Sequence, residues 1–139
     1  MVKSISLNEI LGLKNKIETP LDEIKAYELL TKKPLTKISA LSGLSISEII
    51  SILPVSEKTI DRLKPNERIS LVLAEHLMVL AKLVVEGHET FEDSKLFASW
   101  LKESHPLFKG LNPCEMMKTV TGCNIVETLL VRFKHGVYS

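Results

Sequence analysis

The chain has 139 residues, of which 45% are hydrophobic and 25% charged, and 18 basic against 17 acidic side chains leave a formal net charge of +1. That length supports one domain, or two small helical lobes sharing a core. A near-neutral chain excludes a global field that would draw nucleic acid or an anionic membrane, so any DNA contact must come from a local patch. Cys114 and Cys123 are the two cysteines. With no C-x-x-C and no signal peptide, they predict free thiols in a reducing cytoplasm. The longest apolar run, Ile69 to Val85, is interrupted by Glu75, His76 and Lys82, which predicts a core helix and not a membrane span.

In chain order, Ile5, Leu7, Ile10, Leu11, Leu13 and Ile17 form an irregular pattern that predicts a short helix docked on the core, with order lost toward the extreme terminus. Thr19-Pro20-Leu21-Asp22 reads as a helix start: an N-cap, Pro at the first position, and an acid in the first turn. That helix is expected to bury Leu21, Ile24, Tyr27 and Leu29 and to end at Lys32-Lys33-Pro34. A second helix carries Leu35, Ile38 and Leu41 and closes at Gly43. Ser45-Ile46-Ser47-Glu48 is a capping box opening a third, which Pro54 breaks. Ser56 then caps Glu57 to Leu63, and a long helix is predicted over residues 67–87.

All six prolines fall at such boundaries, and Gly43, Gly87, Gly110, Gly122 and Gly136 are read as boundaries too. No stretch alternates with period two for long enough to make a strand. The expected fold is therefore all-α: an N-terminal segment over 1–19, a helix-turn-helix-like lobe over 20–66, and a long linking helix with a small C-terminal lobe over 67–139. The long helix is apolar on more than one face, through Leu73, Leu77, Leu80 and Val84 with Val72, Met78, Val79 and Leu83 beside them. One stripe suffices for a helix wet on one side. The excess predicts either a dimer seam or complete burial, and a partial dimer role is the expectation taken.

Residues 46–63 read as a short helix, a tight turn and a second helix, the layout of a helix-turn-helix whose second helix enters the major groove. Ser56, Lys58, Thr59 and Arg62 would face outward, with Lys64 and Arg68 near phosphates. From Val55 to Arg68 the charge balance is only +1, from four basic and three acidic residues, so a single copy is expected to bind DNA weakly. His76, His88, His105 and His135 show no metal-ligand spacing. Cys114, at a helix start that would lower its pKa, is nonetheless expected to be a partly buried structural thiol. No catalytic constellation appears, and neither a cofactor nor a metal is expected.

The last third is the most informative part. Leu96, Phe97, Trp100 and Leu101 are spaced for one helix face, with Trp100 as a core anchor. Asn112-Pro113-Cys114-Glu115 opens a second helix expected to stop at Gly122. Val126, Leu129, Leu130 and Phe133 form the buried stripe of a third, which Lys134, His135 and Gly136 terminate.

In order and spacing, Phe91, Asp93, Ala98, Trp100, Leu101, Gly110, Pro113, Thr119, Gly122, Val126, Leu130, Arg132, His135, Gly136 and Val137 resemble the C-terminal toxin-binding domain of Xre/MbcA/ParS-type antitoxins. The resemblance covers about the last fifty residues well and the preceding helices more loosely. It implies an Xre-like helix-turn-helix upstream, a RES-domain toxin as partner, and a chain end that blocks the active-site cleft of an NAD-consuming or ADP-ribosylating enzyme. On that reading Tyr138 anchors the contact, and Ser139 or the terminal carboxylate meets cationic groups in the cleft. Arg132, Lys134 and His135 form a polar rim, with Gly136 and Val137 completing the contact. Operator DNA and a second copy of the chain are further expected partners. The alternative from the residues themselves is a stand-alone dimeric helix-turn-helix regulator.

Overall fold

Eight of the nine α-helices in the computed structural model, which describes residues 5–136, begin at a side chain that accepts a backbone N–H. The helices are α1 (Leu7–Leu11), α2 (Pro20–Tyr27), α3 (Pro34–Ser42), α4 (Ile46–Ile52), α5 (Glu57–Arg62), α6 (Leu71–Phe91), α7 (Ser94–Lys102), α8 (Pro113–Met116) and α9 (Val120–Lys134). A 3₁₀ turn, Pro106–Phe108, lies between α7 and α8. Reciprocal capping boxes form at Thr19/Asp22, Ser45/Glu48 and Asn112/Glu115, each satisfying two backbone donors that the first turn leaves open. α3 instead starts on Pro34, with no side-chain cap. No strand occurs among the described residues, so the fold is all-α. No single helix among them is long and apolar enough to cross a membrane.

α6 is the axis of the molecule. It packs against α1, α2, α3, α7 and, most extensively, α9. Leu77, Met78, Leu80, Ala81, Leu83 and Val84 are all buried, so the second apolar face is covered inside the chain. Burial by these neighbours accounts for the excess apolar surface without a second copy. The exposed remainder is Leu71 and Val72, in the first turn. The helix starts later than predicted because Ser70 caps it, while Arg68 Nη1 donates to the Glu28 carbonyl at 2.9 Å and the Ile69 amide to that of Leu30 at 3.1 Å. These two bonds tie the segment before α6 to the end of the α2 turn.

Four expectations are corrected. α2 ends at Tyr27, and Leu21, Ile24 and Leu29 are exposed, because the helix seats on the core through Ala26 while Leu30 follows it inward. Leu96 is exposed as well; α7 buries Phe97, Ala98 and Leu101. Gly87 ends nothing: it lies inside α6, where a Cβ would come within 1.9 Å of the Phe97 ring. Gly122 is likewise not a stop. The predicted second helix is only α8, and Thr119 accepts from the Gly122 amide to start α9, placing Gly122 in its first turn.

Candidate functional site

The end of α9 is held from two sides. Lys134 Nζ reaches Glu86 at 2.7 Å and Glu89 at 2.8 Å, both on α6, with side chains that are mostly shielded. Hydrogen bonds donated to both carboxylates hold the Lys134 pKa above the ordinary lysine value. One residue back, Phe133 meets Trp100 edge-on at 5.8 Å and His105 at 6.4 Å, and Phe91 adds a tilted contact to Trp100 at 5.6 Å. Trp100, expected as a core anchor, is a half-buried member of an aromatic cluster between α6, α7 and α9 that packs against the core. Aromatic pairs of this kind contribute beyond the area they bury.

The loop after α7 is closed by its own hydrogen bonds. The His105 amide donates to Leu111, the Phe108 amide donates back to the His105 carbonyl, and His105 Nδ1 accepts from the Leu107 amide. Lys109 and Gly110 take positive φ to complete the turn. This rigid loop presents Leu107 and Leu111, 59% and 44% exposed, opposite Ile125 of α9, 44% exposed. Between them runs an open groove of about 680 Å³, with Phe108, Met116 and Leu129 in its lining. Among the described residues Lys109 and Arg132 are its cations, and no carboxylate lines it. Neither Leu107, Leu111 nor Ile125 was flagged from sequence. The available signal was Ile125 itself, an apolar residue just off the Val126/Leu129/Leu130 stripe.

Of the predicted toxin-binding set, Arg132 lines the groove. Lys134 belongs to the clamp, His135 caps α9 in an exposed position, and Gly136 ends it with φ +75°. Val137, Tyr138 and Ser139 lie outside the described residues.

Of the predicted DNA-binding set, Ser56 caps α5 and shares a hydrogen bond with Thr59, while Lys58, Arg62 and Lys64 are exposed. α5 has only six residues, under two turns. The helix pair with a glycine turn near a right angle is α3–α4, bent by 104° around Gly43, the geometry usual for helix-turn-helix units. Gly43 has φ +76°, and a Cβ there would meet the Ser94 carbonyl at 2.3 Å. α4 contains no basic residue, and its Glu48 pairs with Lys102.

The thiols do not behave as a helix start would suggest. Burial pushes Cys114 up to about 11 and Cys123 up to about 12, with Glu48 adding to the first and Glu127 to the second. α8 is only four residues long, and its weak N-terminal dipole is outweighed by desolvation. Cys123 Sγ donates to the Met117 carbonyl at 3.2 Å, which also accepts from His76 Nε2 at 2.8 Å. At pH 8 the Cys114 thiolate fraction is on the order of one in a thousand. Both thiols are expected to resist a disulfide reagent in the native protein and to react promptly in urea; fast native labelling would contradict the burial. Among the described residues, no three His, Cys, Asp or Glu side chains converge to hold a metal ion.

Clamp, cluster and groove all lie between residues 86 and 136, with Trp100 and Gly122 inside the same span. Those residues match the antitoxin Xre/MbcA/ParS C-terminal toxin-binding domain. A curated relative, the Prs ADP-ribosylating antitoxin of Sphingobium sp. (strain YBL2), is 26% identical over 83 residues, which is 53% of this chain and 52% of that protein. The chain thus spans about half the length of that relative. Over residues 86–136 the chain is therefore similar to the toxin-binding domain of Xre/MbcA/ParS antitoxins.

Proposed function

We propose that this chain is the antitoxin of a type II toxin–antitoxin pair, and that it neutralises a RES-type, NAD-consuming or ADP-ribosylating toxin by occluding its active-site cleft. The observation that supports this reading is the immobilised end of α9. Lys134 is pinned between Glu86 and Glu89, and Phe133 is set against Trp100 and His105. Whatever follows Gly136 is therefore delivered from a fixed base. Pre-organisation of that kind lowers the ordering cost of inserting a segment into a cleft. Arg132 and His135 stand at the rim of the base, and Val137, Tyr138 and Ser139 are the inserted residues.

The test is growth rescue in cells expressing the toxin encoded beside this chain. Removing Gly136–Ser139 is expected to leave the melting midpoint within about 2 °C and to abolish rescue, because chain-terminal residues generally contribute little stability. Full rescue by the truncated chain would exclude occlusion by the tail.

The second reading, a DNA-binding regulator, draws on the exposed Lys58 and Arg62 and on the right-angled α3–α4 corner. It predicts that Lys58→Ala with Arg62→Ala weakens an operator gel shift while toxin binding is unchanged. An unaltered shift would remove Ser56, Lys58, Thr59, Arg62 and Lys64 from that role.

A further inference from the structure

We infer that the groove between the 105–111 loop and α9 receives an amphipathic helix of the toxin, one with an apolar stripe flanked by an acidic residue. This rests on the antitoxin reading and adds a second contact to it, since the cleft takes the tail whereas here the antitoxin supplies the hollow.

The shape of the groove argues for a helix. One wall is α9, where Ile125, Leu129 and Arg132 recur at i, i+4 and i+7 along one face, and the other is a loop whose amides are engaged within itself. No strand edge is available among the described residues to pair with an extended segment. An extended guest would bury unpaired backbone groups against Leu107, Leu111 and Ile125, at a cost of several kcal/mol in total. A helix satisfies its own backbone and offers apolar side chains at matching spacing.

Charge fixes the flank. Among the described residues the groove carries Lys109 and Arg132 and no carboxylate, so an Asp or Glu on the incoming helix is favoured and a basic flank is repelled. Leu107, Leu111 and Ile125 are exposed and converge on one groove, and they lie in the segment that matches a toxin-binding domain.

The experiment measures Kd between the full chain and the toxin encoded beside it, with far-UV circular dichroism and melting as folding controls. Ile125→Asp is expected to weaken binding by about 30-fold or more, as for a central apolar contact. Leu107→Asp, on the loop and more exposed, serves as the second variant if Ile125→Asp perturbs folding. Lys109→Glu is expected to weaken binding about tenfold and to reduce its salt dependence. A photocrosslinker at position 111 should label a single helical toxin segment containing an acidic residue. Unchanged affinity in folded Ile125→Asp and Leu107→Asp would overturn the inference while leaving the antitoxin reading standing. So would crosslinks to a second copy of this chain alone. Failure of the unaltered chain to bind the toxin at micromolar concentration would overturn both.

Discussion

Phe97→Ala is expected to lower stability by about 3–5 kcal/mol, and Gly87→Ala, destabilising by itself, is expected to become neutral or stabilising in that background. Phe97 is completely buried and stacks on Phe91 at 5.5 Å. A Cβ on Gly87 would sit 1.9 Å from its Cζ and 2.2 Å from Cε2. The ring is locked between helices, so the clash cannot be relieved by a flexible chain end. Once the ring is gone, the added methyl enters the vacated space, and alanine recovers about 1 kcal/mol of helix propensity over glycine. A double-mutant cycle by urea denaturation reads this directly, because the coupling must be large and opposite in sign to additive damage. Equal destabilisation by Gly87→Ala in both backgrounds would show that the ring does not occupy that position.

Gly122→Ala carries the other large effect, about 3 kcal/mol or more. Its added Cβ would fall 1.5 Å from the Met116 carbonyl oxygen. That neighbour is backbone, so relief requires α8 and α9 to separate. Separation would also pull the Met117 carbonyl away from His76 Nε2 and Cys123 Sγ, leaving a buried imidazole without its partner. Loss of a buried hydrogen-bond partner costs a further ~1–3 kcal/mol. The expected readout is a large drop in urea midpoint together with early exposure of the Cys123 thiol. A midpoint unchanged from the parent chain would mean that the α8–α9 junction is looser than its geometry.

Both glycines mark the limit of what the residues reveal in isolation. As punctuation, Gly87 and Gly122 look no different from Gly43 or Gly136, which do end helices with φ near +76° and +75°. A glycine that turns the chain and one that admits a neighbour are indistinguishable until that neighbour is placed. The capping role of Thr119 is hidden for a related reason: it caps α9 without the acidic residue three positions on that makes a capping box recognisable. Leu21 and Ile24 illustrate the reverse. Their spacing is right for a buried face, but α2 touches α6 through the opposite side and Ala26 is the residue enclosed.

The candidate site divides in the same way. The apolar stripe of α9 was readable from period alone, and Val126, Leu129 and Leu130 are buried. Lys134 looked like a rim residue because its sequence neighbours are polar; its carboxylate partners lie 48 and 45 positions away on α6. The groove needs Leu107, Leu111 and Ile125 from two separate elements, and no local pattern joins them.

What the sequence determined alone is whatever depends on neighbours within one turn: an all-helical chain, helix caps at Thr19, Ser45 and Asn112, the proline boundaries, and the ordered set of residues that resembles an antitoxin domain. Tertiary structure decided which faces became interior, which glycines serve contact, and where an apolar groove stays open. The reason is range. Capping and propensity act between residues three or four apart, whereas burial depends on which distant element arrives to cover a face, and only the folded chain specifies that.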